Sequence, residues 1–242
     1  MNRLTVMRVI AWIMAASAVG FGLFTIVFGI VSPAQEIHAV HNAVVGSLLL
    51  VLSAPPVIQV ARFPELPLRH LVILAAVAVA ALATMAMSLT LDPFTLPFVV
   101  LTGVLWAIVP DRGGAVPAGR PSPIMLAVVI VAAVPLVMYA IAQAELQRTD
   151  PLSEHSAFFH WVEMSFYSIA IVLLGFLAAF RPDAFRMAAW MGGLALAILG
   201  GASVLFGQHA SAIAAPWSWA ALAVGLAFIA LGEWEARKQP SQ

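Results

Sequence analysis

The chain contains no cysteine. Disulfides, thiolate metal sites, iron–sulfur clusters and cysteine nucleophiles are therefore excluded. Charge is scarce as well: Asp, Glu, Lys and Arg make up 9% of the 242 residues, against about 25% in a soluble domain. The formal net charge is zero and no basic tract occurs, which argues against a nucleic-acid partner. There is no Gly-rich phosphate loop, so a nucleotide-driven pump is not expected. No polar stretch is long enough to fold as a soluble domain.

What is present is apolar. Hydrophobic residues account for 63% of the chain and the mean hydropathy is +1.02. Such a composition cannot cover a water-facing surface, and it places the chain in the membrane class. Eight apolar segments stand out: Val9–Val31, Ala43–Ala61, Leu71–Leu91, Phe94–Val109, Ile124–Ala144, Val162–Phe180, Met187–Gly207 and Trp217–Gly232. Most reach the ~20 residues needed to cross about 30 Å of hydrocarbon. The fourth and eighth are shorter, at 16 residues. Ala16-Ser17-Ala18 has the small residues of a signal-peptidase site, but the apolar run continues 13 residues beyond it. A retained first helix is the better reading. The sequence thus predicts an all-α polytopic integral membrane protein with eight transmembrane helices.

Orientation follows from charge. With the N-terminus inside, Arg3, Arg8, Arg62, Arg69, Arg112, Arg120, Arg181, Arg186, Arg237 and Lys238 all fall on the inner side, and Arg148 alone among the 11 cations falls outside. This is the positive-inside pattern. Trp12, Trp106, Trp190 and Trp234 fall at inner helix ends, and Trp161, Trp217 and Trp219 at outer ends, where an amphipathic indole is most stable. Both termini are expected in the cytoplasm, in a bacterial-type inner or plasma membrane.

The chain also repeats itself. Ser32-Pro33-Ala34-Gln35-Glu36 leads into His38 and His41, and Asp150-Pro151-Leu152-Ser153-Glu154 leads into His155 and His160. Phe63-Pro64 and Arg69 recur as Arg181-Pro182 and Arg186, and Pro97 recurs as Pro216. The predicted organisation is two tandem four-helix units, residues 1–110 and 122–242, joined by a cytoplasmic Gly/Pro/Arg linker at 111–121. Four helices per unit give both units the same topology, a parallel repeat. Gly192-Gly193 and Gly200-Gly201 in the seventh helix predict close helix approach. Pro55-Pro56 should break the second helix and Pro135 kink the fifth.

The same motif supplies the candidate site. Ser32 and Asp150, each followed by proline, read as N-caps of helices 2 and 6. His38 and His41 are three apart and share a helical face. His160, Glu163 and Tyr167 form one stripe, whereas His155 lies about 140° away from His160 on a continuous helix and is expected to point elsewhere. Glu163 falls just inside the apolar zone, where a carboxylate is expensive and faces a cavity, a partner or a cation. Five of the six histidines lie on the outer side, His70 being the exception.

The expected site comprises His38, His41, His160 and Glu163 at the outer ends of helices 2 and 6. Glu163 is the candidate catalytic group, as ligand or proton acceptor, and Tyr167 a supporting donor. Imidazole with carboxylate suits zinc, copper or iron. Met85, Met87, Met138 and Met164 add thioethers near the same end, which would favour Cu(I) or a His/Met-ligated haem. His41 and His160 at equal depth would also suit one haem b. If one small ion joins them, their side chains should lie within roughly 10 Å, since ligand bonds are near 2 Å.

The leading expectation is a metal (copper or zinc) or haem site used for redox chemistry or metal handling, with hydrolysis an option if zinc binds. Two readings compete. One is a non-catalytic accessory subunit of a larger membrane complex. The other is a small-molecule or proton-coupled carrier titrating on Glu163. The expected partners are the lipid bilayer and either other membrane subunits or further copies of this chain.

Overall fold

A computed structural model describes residues 2–32, 38–109, 120–180 and 185–238. Among these residues the chain is helical throughout, with no strand. Eight long helices follow one another: α1 Arg3–Val31, α2 Ala39–Arg62, α3 Leu68–Ser88, α4 Leu96–Ile108, α5 Pro123–Thr149, α6 His160–Ala179, α7 Phe185–Leu205 and α8 Trp217–Arg237. A one-turn helix, Glu154–Ala157, precedes α6. Seven of the long helices have the length and apolar composition to cross a membrane. The eighth, α4, has only 13 residues, about 20 Å of helix, so eight full spans are not established.

Helix α1 packs on α2, and α5 on α6; α3 packs on α4, and α7 on α8. Between these pairs, α3 lies against α6 and α7 against α2. Backbones approach where glycine removes the side chain. A Cβ on Gly193 would sit 2.7 Å from the Gly225 carbonyl, and one on Gly225 would sit 2.6 Å from the Ala197 nitrogen. The α7–α8 crossing is therefore backbone against backbone, as the glycine pattern predicted.

Pro55 and Pro56 do not break α2. They lack the N–H groups that would bond the carbonyls of Val51 and Leu52. The helix widens instead into a π turn at Leu48–Ser53, and the Ser53 hydroxyl donates to the Leu48 carbonyl at 3.1 Å. α-Helix then resumes with proline in its first turn, where a missing donor costs nothing. Pro135 is carried inside a continuous α5.

Both predicted N-caps need correction. Ser32 closes α1, its N–H bonding the Phe28 carbonyl, and α2 starts at Ala39 behind His38. Pro33 to Ile37 lie outside the described residues, Glu36 of the repeated motif among them. Asp150 closes α5 rather than opening α6, its N–H bonding the Leu146 carbonyl. Ser153 caps the one-turn helix instead, its hydroxyl accepting from the Ser156 N–H at 3.2 Å, and α6 starts after Phe159 with no side-chain cap. The linker at 110–119, with Arg112, and the Arg181-Pro182 turn also lie outside the described residues.

Candidate metal centre

Helix α2 begins beside the one-turn helix and the start of α6, and four histidines meet there. His38 occupies the position before the first residue of α2, and His41 follows one turn later on the same face. His160 is the first residue of α6. His155 comes from the one-turn helix, contrary to the expectation that it would point away. The reason is local. Phe159 takes a left-handed conformation, φ 62°, so Glu154–Ala157 and α6 are two helices rather than one. The angle computed for a continuous helix does not apply across that break. The His155 and His160 rings are 5.7 Å apart.

The rings form a compact group. His38 lies 4.6 Å from His155, 4.8 Å from His160 and 6.0 Å from His41, centroid to centroid. His41 lies 4.7 Å from His155 and 4.8 Å from His160, stacked on the latter at 24°. One ligand nitrogen from each of the four sits within 4.8 Å of the others. His38 and His41 are buried. His38 Nδ1, His41 Nδ1, His155 Nε2 and His160 Nδ1 are all buried without a hydrogen-bond partner. Buried polar atoms are normally paired, so four unpaired lone-pair or N–H sites in one place call for a ligand.

The second ring nitrogens of His41 and His38 face polar groups. His41 Nε2 is 2.9 Å from the Ser211 hydroxyl in the α7–α8 loop. His38 Nε2 is 3.8 Å from the Glu154 carboxylate, which is largely solvent-exposed. Trp161 is buried and stacks on His155 at 4.6 Å, so it is a wall of the site rather than a belt residue as the sequence implied. Phe158 stacks on His160 at 5.9 Å.

Burial holds the His38 imidazole below its ordinary value of 6.5, partly offset by the Glu154 charge. Burial also lowers His155, helped by the neighbouring His38 and opposed by Glu154 and Asp150. Both are therefore neutral at neutral pH and keep a lone pair for coordination.

Glu163 and Tyr167 are placed elsewhere. Glu163 is buried one turn into α6, but its charged neighbour is Asp92 in the α3–α4 turn, and it is not part of the four-histidine group. The Asp92 carboxylate in turn accepts from the Phe94 N–H at 2.8 Å and from the Thr95 hydroxyl. The Tyr167 hydroxyl lies 2.6 Å from Ser47 on α2 and donates to the Ala195 carbonyl on α7 at 3.0 Å. It ties three helices together. Met85 and Met164 are core residues and Met138 is exposed. His209 packs on Phe206 in the α7–α8 loop, and His70 lies at the start of α3.

Sequence reasoning missed His155, Trp161, Ser211 and Gln143. For His155 a signal existed: Ser153 is a second possible cap three residues after Asp150. For Ser211, in a loop 170 positions from His41, no local signal existed. Comparison of the chain with protein-family models, with curated proteins and with solved structures gives no match.

Proposed function

We propose that this is a membrane protein whose His38, His41, His155 and His160 hold one transition-metal ion, zinc or copper, for metal handling. The observations that carry this reading are that one ring nitrogen from each of four histidines lies within 4.8 Å of the others, and that each of the four rings has a buried nitrogen without a hydrogen-bond partner. Neutral imidazoles suit zinc, copper, iron and nickel, and the absence of thiolate and carboxylate from the group narrows the chemistry to nitrogen ligands. In a tetrahedral site with bonds near 2.05 Å the nitrogens would be about 3.3 Å apart. The present spread of up to 4.8 Å closes with side-chain shifts of about 1 Å, judged against that spacing.

Two features favour a small ion over haem. Axial ligands face each other edge-on across a macrocycle, whereas His41 and His160 are stacked face to face at 4.8 Å. The other two imidazoles crowd the same pair, His155 at 4.7 Å from His41 and His38 at 4.8 Å from His160. Four protein ligands fill the coordination sphere, while catalytic zinc keeps a position open for water. A holding or transfer site therefore fits better than a hydrolytic one.

The helix pairing supports the two-unit reading, residues 1–110 and 122–242. The partners α1–α2 and α5–α6 correspond, as do α3–α4 and α7–α8, and the cross-contacts α3–α6 and α7–α2 exchange under the same correspondence. The metal site then lies where the second helices of the units meet. Arg3, Arg62, Arg69, Arg186 and Arg237 all sit at helix ends opposite the four clustered histidines, which supports an extracytoplasmic site and cytoplasmic termini.

The test is metal content of the detergent-purified protein. About one equivalent of zinc or copper per chain is expected from the four-ligand geometry, with loss of that metal in His41→Ala and in His160→Ala. Metal-free protein after expression and titration with both ions would sink the reading.

A further inference from the structure

The nitrogen of His41 that faces the site is decided by residues outside it. Ser211 is held with φ 65°, and its carbonyl accepts from the Tyr139 hydroxyl of α5 at 2.6 Å. The loop is fixed again two residues on, where the Ile213 N–H donates to Ser203 at 3.0 Å. One α5 turn from Tyr139 stands Gln143, buried, whose side-chain oxygen accepts from the Ser211 hydroxyl at 2.7 Å. A hydroxyl has a single proton. Because Ser211 gives its proton to Gln143, its oxygen can only accept from His41 Nε2, 2.9 Å away. The imidazole proton must then be on Nε2, and the lone pair on Nδ1. His41 Nδ1 is the buried atom without a partner.

We propose that Ser211 and Gln143 are positioning residues that hold His41 in its Nε2–H tautomer and so present its Nδ1 lone pair to the metal. This rests on the four-histidine reading above. Outer hydrogen bonds of this kind fix both tautomer and ring orientation in metal sites. The same α5 stripe reaches a second ligand: Gln147, one turn beyond Gln143, donates to the Ser156 carbonyl at 3.1 Å in the one-turn helix that carries His155. Tyr139, Gln143 and Gln147 thus form a scaffold that places both the partner of His41 and the backbone beside His155.

The experiment uses full-length protein in detergent, with zinc affinity measured by competition against a chromophoric chelator. Histidine-selective 15N NMR of the metal-free protein reports the tautomer directly. Gln143→Leu removes the acceptor, frees the Ser211 proton to bond His41 Nε2, and moves the imidazole proton to Nδ1. Zinc affinity should fall about 10- to 100-fold, and the His41 Nδ1 signal should change from unprotonated to protonated. At alkaline pH, where the introduced carboxyl is ionised and can only accept, Gln143→Glu keeps the tautomer, and its affinity should stay within about threefold or rise.

Should Gln143→Leu fail to fold, Ser211→Ala removes the oxygen that accepts from His41 Nε2 and should lower zinc affinity over the same range. Unchanged affinity and an unprotonated Nδ1 in Gln143→Leu would overturn the proposal. Equal loss in Gln143→Glu at that pH would also overturn it, since an acceptor at position 143 would then not decide the tautomer. If unsubstituted protein binds no zinc or copper yet shows an unprotonated His41 Nδ1, the metal reading fails and the tautomer assignment stands.

Discussion

The two histidine-bearing stretches look alike in sequence and differ in construction. In the first, His38 and His41 sit one turn apart at the start of a single helix, and their relative placement follows from helical geometry. In the second, His155 and His160 are separated by a left-handed Phe159, and their placement depends on one residue adopting a conformation that side chains other than glycine rarely take. One arm of the site is held by regular structure and the other by a break in it. A repeated motif therefore predicts where two segments meet more reliably than how each segment folds.

The sharpest way to break the comparison is at the ligands. His41→Ala and His160→Ala each leave three imidazoles and an uncompensated gap. Each should lower zinc or copper affinity by at least 100-fold, beyond the 10- to 100-fold typical of losing an outer partner. Chelator competition measures this. If His155→Ala leaves affinity unchanged, His155 is not a ligand; if His160→Ala does so as well, the second arm is not part of the site.

Next comes the break itself. Phe159→Val puts a β-branched residue at positive φ, at a cost of about 1–3 kcal/mol, and favours a continuous helix that carries His155 away. Metal affinity should fall about tenfold, the equivalent of 1.4 kcal/mol. Phe159→Gly, which accepts positive φ freely, should retain affinity.

Tyr167→Phe tests whether the polar stripe of α6 serves the metal or the helix packing. Its hydroxyl bonds Ala195 and Ser47, and losing it should cost about 1 kcal/mol. Thermal unfolding should drop by about 2–4 °C for a chain of this size, with metal affinity unchanged. Glu163→Gln should likewise leave metal stoichiometry intact, because its charged neighbour is Asp92 and not the histidines.

The smallest effect is that of acid. His38 and His155 are held below 6.5 by burial, so below that pH the unfolded chain binds protons that the folded chain does not. Their contribution to stability is present in full above pH 6.5 and declines as pH falls beneath it. Unfolding of the metal-free protein followed from pH 7.5 down to about 5 should show that direction, and protons should displace the metal over the same range.

Much of this was readable from the chain. Helix positions follow from apolar run lengths, and the meeting of the starts of α2 and α6 follows from the repeat. His41 and His160, predicted to lie within roughly 10 Å, are 4.8 Å apart. The close approach of another helix to α7 is written in Gly193 and Gly200, and the structure makes that helix α8. What could not be read are features decided by tertiary contact. Asp150 and Ser153 are both capping residue types, but α5 runs on to Asp150 and leaves Ser153 to cap the one-turn helix. Glu163 stands on the same stripe as His160, but the α3–α4 turn brings Asp92 to it. Ser211 reaches His41 from a loop whose sequence carries no marker of the role.

The π turn in α2 has a consequence for how the helix is divided. One extra residue in a turn shifts the angular phase of everything after it by about 100°, the angle of a single helical step. Above the turn, α2 presents Val40, His41, Val44 and Ser47 to its neighbours; below it, Val57, Val60 and Ala61 face a separate apolar cluster with Met7, Met14 and Leu71. One extra residue thus aims each length of α2 at its own neighbours, the histidine end at α6 and α7 and the arginine end at α1.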